Sequence, residues 1–115
     1  MRKVTQDIAR AFVNGQKKTL RNTSTDGMSV WLHGHEIIRK TGSKEFKISL
    51  CGWGTPTTRE RLNGILSFAG VNAHLFQQNH EQFLCVNGQT VHIDSNDVIS
   101  VNPNGHINWS KDFVK

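Results

Sequence analysis

The chain has 115 residues, is 36% hydrophobic and carries a net charge of +5. That length predicts a single domain spanning 1–115, able to bury roughly two-thirds of its unfolded surface. No apolar run approaches a membrane span and the opening MRKVTQDIAR is polar, so neither a membrane partner nor a secretory leader is expected.

Residues 5–14 read as a short helix. Thr5 caps it, Asp7 suits the N-terminal dipole, and Ile8, Ala11 and Phe12 form an apolar stripe that Gly15 ends. Residues 18–51 read as an antiparallel meander. KKTLRNTSTDG is β-compatible and closes in an Asp26-Gly27 turn. In MSVWLH, Met28, Val30 and Leu32 face one way and Ser29, Trp31 and His33 the other. Gly34 allows a tight reversal, EIIRK returns and TGSK turns again. In EFKISLC, Phe46, Ile48 and Leu50 point inward and Glu45, Lys47 and Ser49 outward.

The stretch CGWGTPTTRERLNGIL follows. Gly52 and Gly54 flank Trp53 at a strand end, Thr55 is the expected N-cap, and Pro56 takes the first helical position. Leu62, Ile65, Leu66 and Ala69 recur on one buried face, and Gly70 stops the helix. AHLFQQ is a strand candidate. FLCVNGQTVHI is a hairpin with Asn87-Gly88 at its turn, and DVISVNPNGHINWS forms another around Asn104-Gly105. The order is one helix, three or four strands, a second helix, then two to four strands. This predicts an α+β fold: an antiparallel sheet, a meander plus C-terminal hairpins, with two helices packed on it. Residues 94–115 are a candidate extended tail.

Charge is distributed unevenly. Residues 1–61 hold twelve Lys/Arg and five Asp/Glu, whereas residues 62–115 hold two and four. A basic half attracts nucleic acid, nucleotides, anionic membrane or an acidic protein, and it excludes an acidic mimic of nucleic acid. The second helix start offers free N–H groups and a positive dipole to an anion. Thr55, Thr57 and Thr58 add hydroxyls, Arg59 lies near the buried face and Arg61 on a more exposed side. Trp53 can stack on a base. The spacing is not that of a P-loop. Trp31 with Arg39, Lys40 and Lys47 marks a second basic and aromatic surface, on the sheet, suited to single-stranded nucleic acid.

Catalytic and metal chemistry find no pattern. His33 and His35 flank a glycine turn that spoils a His-x-His metal pair, and His74, His80, His92 and His106 are scattered. Neither Cys51 nor Cys85 has a local activating group, and both are expected as free thiols in a reducing cytosol. No cofactor and no metal are expected, and the chain reads as a binder rather than an enzyme.

The strings LHGHEIIRK, FKISLCGWGTPTTRERLNGIL and FLCVNGQTV resemble small proteins encoded by tailed bacteriophages and prophages. The shared features are an Arg-Lys-Val-Thr start, a Leu-His-Gly turn, a Gly-Trp followed by Thr-x-Thr-Thr-Arg-x-Arg-Leu-Asn, and an Asn-Gly hairpin. The resemblance covers most of residues 1–93, and from Asp94 onward the chain has no counterpart in it. It implies a small accessory phage protein acting in the host bacterial cytoplasm and carries over no functional residue. Accessory phage proteins of this size are often stoichiometric binders. The expectation is therefore a non-enzymatic anti-defence or host-takeover factor that sequesters an anionic nucleotide-type ligand. Arg59 and Arg61 would hold phosphates, the threonines would donate hydrogen bonds and Trp53 would stack on the base. A small nucleic-acid-binding protein and a protein–protein inhibitor of a host defence complex are the alternatives. Exposed edge strands in the last third predict a homo-oligomer.

Overall fold

A computed structural model describes residues 2–105 and 107–110. The chain runs α1 (Lys3–Val13), β1 (Lys18–Leu20), β2 (Thr23–Thr25), β3 (Ser29–Leu32), β4 (His35–Gly42), β5 (Glu45–Ile48), α2 (Pro56–Phe68), β6 (Ala73–Gln78), β7 (Glu81–Val86), β8 (Gln89–Ile93), β9 (Val98–Val101) and β10 (Ile107–Ser110). All pairings are antiparallel. β1 to β5 form a meander, β9 returns to pair with β5, and β10 pairs with β9, giving seven strands in one sheet. β6, β7 and β8 form a second, three-stranded sheet.

This is the expected α+β class, with five strands on each side of α2. Two of the reversals contain no glycine. Arg21 takes φ 56 and splits the first β segment into β1 and β2. Asn79 and His80, at φ 52 and 65, turn β6 into β7 in the mirror-turn conformation that matches strand twist. Asn87 and Gly88, at φ 50 and 86, turn β7 into β8 as expected. The segment from Asp94 is drawn into the large sheet through β9. His106 and residues 111–115 of the candidate tail lie outside the described residues.

Apolar side chains from both helices and both sheets share one cluster. It takes Ile8 and Phe12 from α1, Leu62, Ile65 and Leu66 from α2, Val30, Ile48 and Ile99 from the large sheet, and Leu75 and Leu84 from the small one. Burying each of these contributes about 1.5–3 kcal/mol relative to exposure. The register shifts between Val30 and Trp31: Val30 faces Ile38 but Trp31 faces Glu36, leaving Ile37 as an extra residue. The bulge lets the consecutive Ile37 and Ile38 both reach the core, at 1% and 0% exposure.

Several orientations differ from simple alternation. Met28 is exposed rather than inward, because it belongs to the turn in which its amide and that of Ser29 donate to Asp26 Oδ1, both at 2.9 Å. Lys47 and Ser49 are buried rather than outward, at 6% and 5% exposure. Since β9 joins β5, Lys47 is no edge residue; it lies in register between Arg39 and Ser100. Thr5 does not cap α1, which begins two residues earlier behind Arg2; Thr5 is fully buried inside the helix.

Thr5 instead joins a polar knot around Arg61. Contrary to the exposed position expected for it, Arg61 is buried at 5% exposure, because it shares the buried face of α2 with Thr58, Leu62 and Ile65 and reaches α1 from there. Its Nε donates to Thr23 Oγ1 at 3.1 Å, and its Nη1 donates to Thr5 Oγ1 at 2.9 Å and Glu60 Oε1 at 2.5 Å. Glu60 also accepts from the Thr5 hydroxyl at 2.5 Å and from the Arg2 amide at 3.2 Å. Burial pushes the Glu60 carboxyl up, yet the Thr5 hydroxyl, the Arg2 amide and Arg61 together hold it below its ordinary 4.5.

A lowered carboxyl stabilises the fold above its ordinary pKa, and that contribution is lost as pH falls through the folded value. Glu60→Gln therefore melts below wild type at pH 7, and the gap narrows on acidification below 4.5. A gap of constant size across that range would remove Glu60 ionisation from the account. Arg61→Ala leaves the buried Thr5 hydroxyl and the part-buried Glu60 without their cation and costs about 3 kcal/mol in denaturant unfolding. A second test concerns the turn glycines. Gly27 has φ +91 and a Cβ there would meet the Gly15 carbonyl carbon at 2.5 Å, whereas Gly15 at φ +70 has open space. Gly27→Ala should cost more than about 2 kcal/mol and Gly15→Ala about 1 kcal/mol, measured by urea titration.

Candidate functional site

Antiparallel register brings two separate connections to the same end of the large sheet. Ile38 faces Ile48, so the chain entering β4 at His35 lies level with the chain leaving β5 at Cys51. Between the β3–β4 turn and the β5–α2 connection lies an open cleft of about 460 Å³. Its volume is in the range of small-ligand sites. Leu32, Ile37 and Leu50, each at most 4% exposed, give it an apolar base. His33, His35 and Trp53 contribute rings, and Cys51, Thr55, Thr57 and Thr58 contribute small polar groups.

Backbone conformation explains how these groups are presented. His33 and Gly34, at φ 52 and 80, form a two-residue turn that sets His33 and His35 on the rim. The His33 ring makes a 3.3 Å contact with the Asn22 amide. Cys51 and Gly52, at φ 55 and 79, reverse the chain after β5. The Gly52 amide donates to Ser95 O and the Trp53 amide to Leu50 O, both at 2.8 Å. This anchored reversal leaves the Trp53 ring 56% exposed and 6.2 Å from the His35 ring, centroid to centroid. The Cys51 thiol donates to Glu36 O at 2.8 Å, and burial pushes its pKa up, away from the thiolate that would be reactive.

The start of α2 closes the cleft. Thr55 Oγ1 accepts from the Thr58 amide at 3.3 Å and lies 3.0 Å from the Thr58 hydroxyl, so Thr55 is the cap that the sequence predicts. The Arg59 amide donates to Thr55 O at 3.1 Å. With no N–H on Pro56, the first turn offers the Thr57 amide and hydroxyl to a ligand.

The structure thus brings Trp53, Thr55, Thr57 and Thr58 together and separates the two arginines from them. Arg59 lines a neighbouring depression with Asn63, Phe76 and Gln77. Its Nη1 donates to Gly54 O at 2.7 Å, Gln82 Oε1 at 3.1 Å and Gln77 Oε1 at 3.2 Å, strapping the helix start to the small sheet. Arg61 is held in the buried knot described above. His33, His35 and Cys51 join the cleft without having been singled out for it from sequence. Pairing EIIRK against EFKISLC in register would have placed them there.

The second expected surface does not form one open face. Arg39 and Lys40 are neighbours on a strand and point to opposite sides. Arg39 forks onto Glu36, with Nε to Oε2 at 2.7 Å and Nη2 to Oε1 at 3.0 Å. Lys40 lies over the Phe12 ring and donates to Phe12 O at 2.6 Å and Gly27 O at 2.9 Å, and burial lowers its pKa. Lys47 is buried and Trp31 is half-buried.

No helix among the described residues is long and apolar enough to cross a membrane. No curated protein and no solved structure matches the chain. A family of bacteriophage proteins matches residues 1–108, past the point at Asp94 where the resemblance by motif ends. It takes in β9 and the first residues of β10 as well as both walls of the cleft. The chain belongs to the Kyanoviridae Gp96 protein family.

Proposed function

We propose that this phage protein is a non-enzymatic binder that captures a small nucleotide-type ligand in the cleft between His33–His35 and Cys51–Thr58. Sequestering such a ligand in the host cytoplasm would serve an anti-defence or host-takeover role. One observation carries the reading: an exposed tryptophan stands over a cleft of about 460 Å³ whose base is apolar and whose far wall is a capped helix start. A planar base fits against Trp53 and His35 with its edges on the apolar side chains. A hydroxyl or a single anionic group fits at the Thr57 amide, where the helix dipole is positive. Hydrogen-bonded Cys51, with its raised pKa, supports binding over nucleophilic catalysis.

The engagement of Arg59 and Arg61 by the protein narrows the ligand. A polyphosphate chain would need cations that this wall does not present, so a nucleoside, a nucleobase derivative or a cyclic or monophosphate nucleotide is favoured.

Native mass spectrometry of the protein after incubation with extract of infected bacteria gives the ligand's mass and the stoichiometry together. A panel of nucleosides, monophosphates and cyclic nucleotides, read by calorimetry, then tests the site. Trp53→Ala should weaken binding at least about tenfold, the loss of one stacked aromatic. Its melting temperature should stay unchanged, because the side chain is exposed. If the protein gains no small mass and no compound in the panel binds, the cleft is not a nucleotide site.

A further inference from the structure

The net charge of the protein sits in one small part of the fold. Residues 2–21, which hold α1 and β1, carry six Lys/Arg and one Asp, a balance of +5. The rest of the chain carries eight Lys/Arg and eight Asp/Glu and is neutral. Twelve Lys and Arg fall among the described residues. Seven of them are exposed, and six of the seven are Arg2, Lys3, Arg10, Lys17, Lys18 and Arg21. The seventh, Lys44, lies in the β4–β5 turn. Asp7 is shared between Lys3 at 3.2 Å and Arg10 at 3.7 Å, and Asp26 lies near Lys17.

These cations lie on, or directly flank, two elements that pack together. Lys3 and Arg10 lie two turns apart on one helix face, about 10 Å along the axis. α1 packs against β1 and β2, and β1 is the end strand of the large sheet. Its outer edge therefore presents free backbone groups beside Lys17, Lys18 and Arg21. Between the cations the exposed residues are polar: Gln6, Asn14, Gln16 and Thr19. Val13 is the one large hydrophobic residue exposed in this segment.

That composition selects the partner. An amphipathic helix inserting into lipid would need an exposed apolar stripe, but Ile8, Ala9 and Phe12 are fully buried in the core. A stable protein partner would need a cluster of aromatic or aliphatic anchors, and this surface offers Val13 alone. Arg and Lys interleaved with Asn, Gln, Thr and free strand amides is the chemistry that contacts phosphates without reading bases. We propose that the outer face of α1 and the free edge of β1 form a docking surface for the nucleic-acid backbone, independent of sequence and separate from the cleft.

The test is fluorescence anisotropy with labelled single-stranded and duplex DNA and RNA, titrated from about 50 to about 200 mM salt. Wild type should bind with a log–log salt slope of about −3 to −5. Lys17→Glu/Lys18→Glu/Arg21→Glu should weaken binding at least tenfold and reduce the slope by about 2–3, with an unchanged melting temperature. Lys3→Glu/Arg10→Glu, on the helix side of the same patch, should also weaken it. Lys44→Glu, the same charge change elsewhere, should leave affinity within about twofold. Three results would each overturn the proposal: no binding to any of these nucleic acids at about 50 mM salt, an equal loss on reversing Lys44, or binding only to vesicles rich in phosphatidylserine.

Discussion

One buried arginine joins three elements that the chain supplies far apart. Arg61 on α2 reaches Thr5 on α1 and Thr23 on β2, and its neighbour Glu60 returns to Thr5 and to the backbone of Arg2. A guanidinium that is 95% buried is tolerable only with its charge balanced and its donors used, and this knot supplies a carboxylate and two hydroxyls. The directional bonds fix how α2 rotates against α1. The rotation in turn decides which face of α2 looks onto the cleft and which onto the small sheet.

From that orientation the neighbouring features follow. With Arg61 toward α1, Arg59 falls on the opposite flank and straps Gly54 to Gln77 and Gln82. Thr55 and Thr57 are left on the cleft side, beneath Trp53. The bulge in β4 acts on the other wall. By inserting Ile37 it sinks two consecutive isoleucines into the core, and it carries Glu36 onto the face where Arg39 waits. The strand therefore reaches His35 in the register that sets it beside Trp53.

The same economy applies to charge. Cations on β4, β5 and α2 are tied to Glu36, to backbone carbonyls or to buried partners, whereas those on α1 and β1 face solvent. A basic sequence half is thus split by the fold into an inner set that holds elements together and an outer set that is available. Stability and recognition draw on different lysines and arginines, although nothing in their local sequence distinguishes the two groups.

Local chemistry made much of this protein legible in the sequence. Thr55-Pro56 announced the helix start, the spacing of Leu62, Ile65 and Leu66 its buried face, and Asn87-Gly88 a hairpin, because caps, periodicity and tight turns are settled within a few residues. Four of the cleft's residues, Trp53, Thr55, Thr57 and Thr58, came into view the same way. Turns through Arg21 and Asn79-His80 did not, since neither carries the glycine that marks Asn87-Gly88 and arginine is uncommon in the left-handed region. The fates of Arg59, Arg61 and Lys47 were decided by tertiary contact alone. Arg61 needed α1 packed on its face, Arg59 needed the glutamines of β6 and β7, and Lys47 was buried by a strand that arrives fifty residues later, as β9. Sequence spacing says which side of an element a residue occupies; only the fold says what lies on that side.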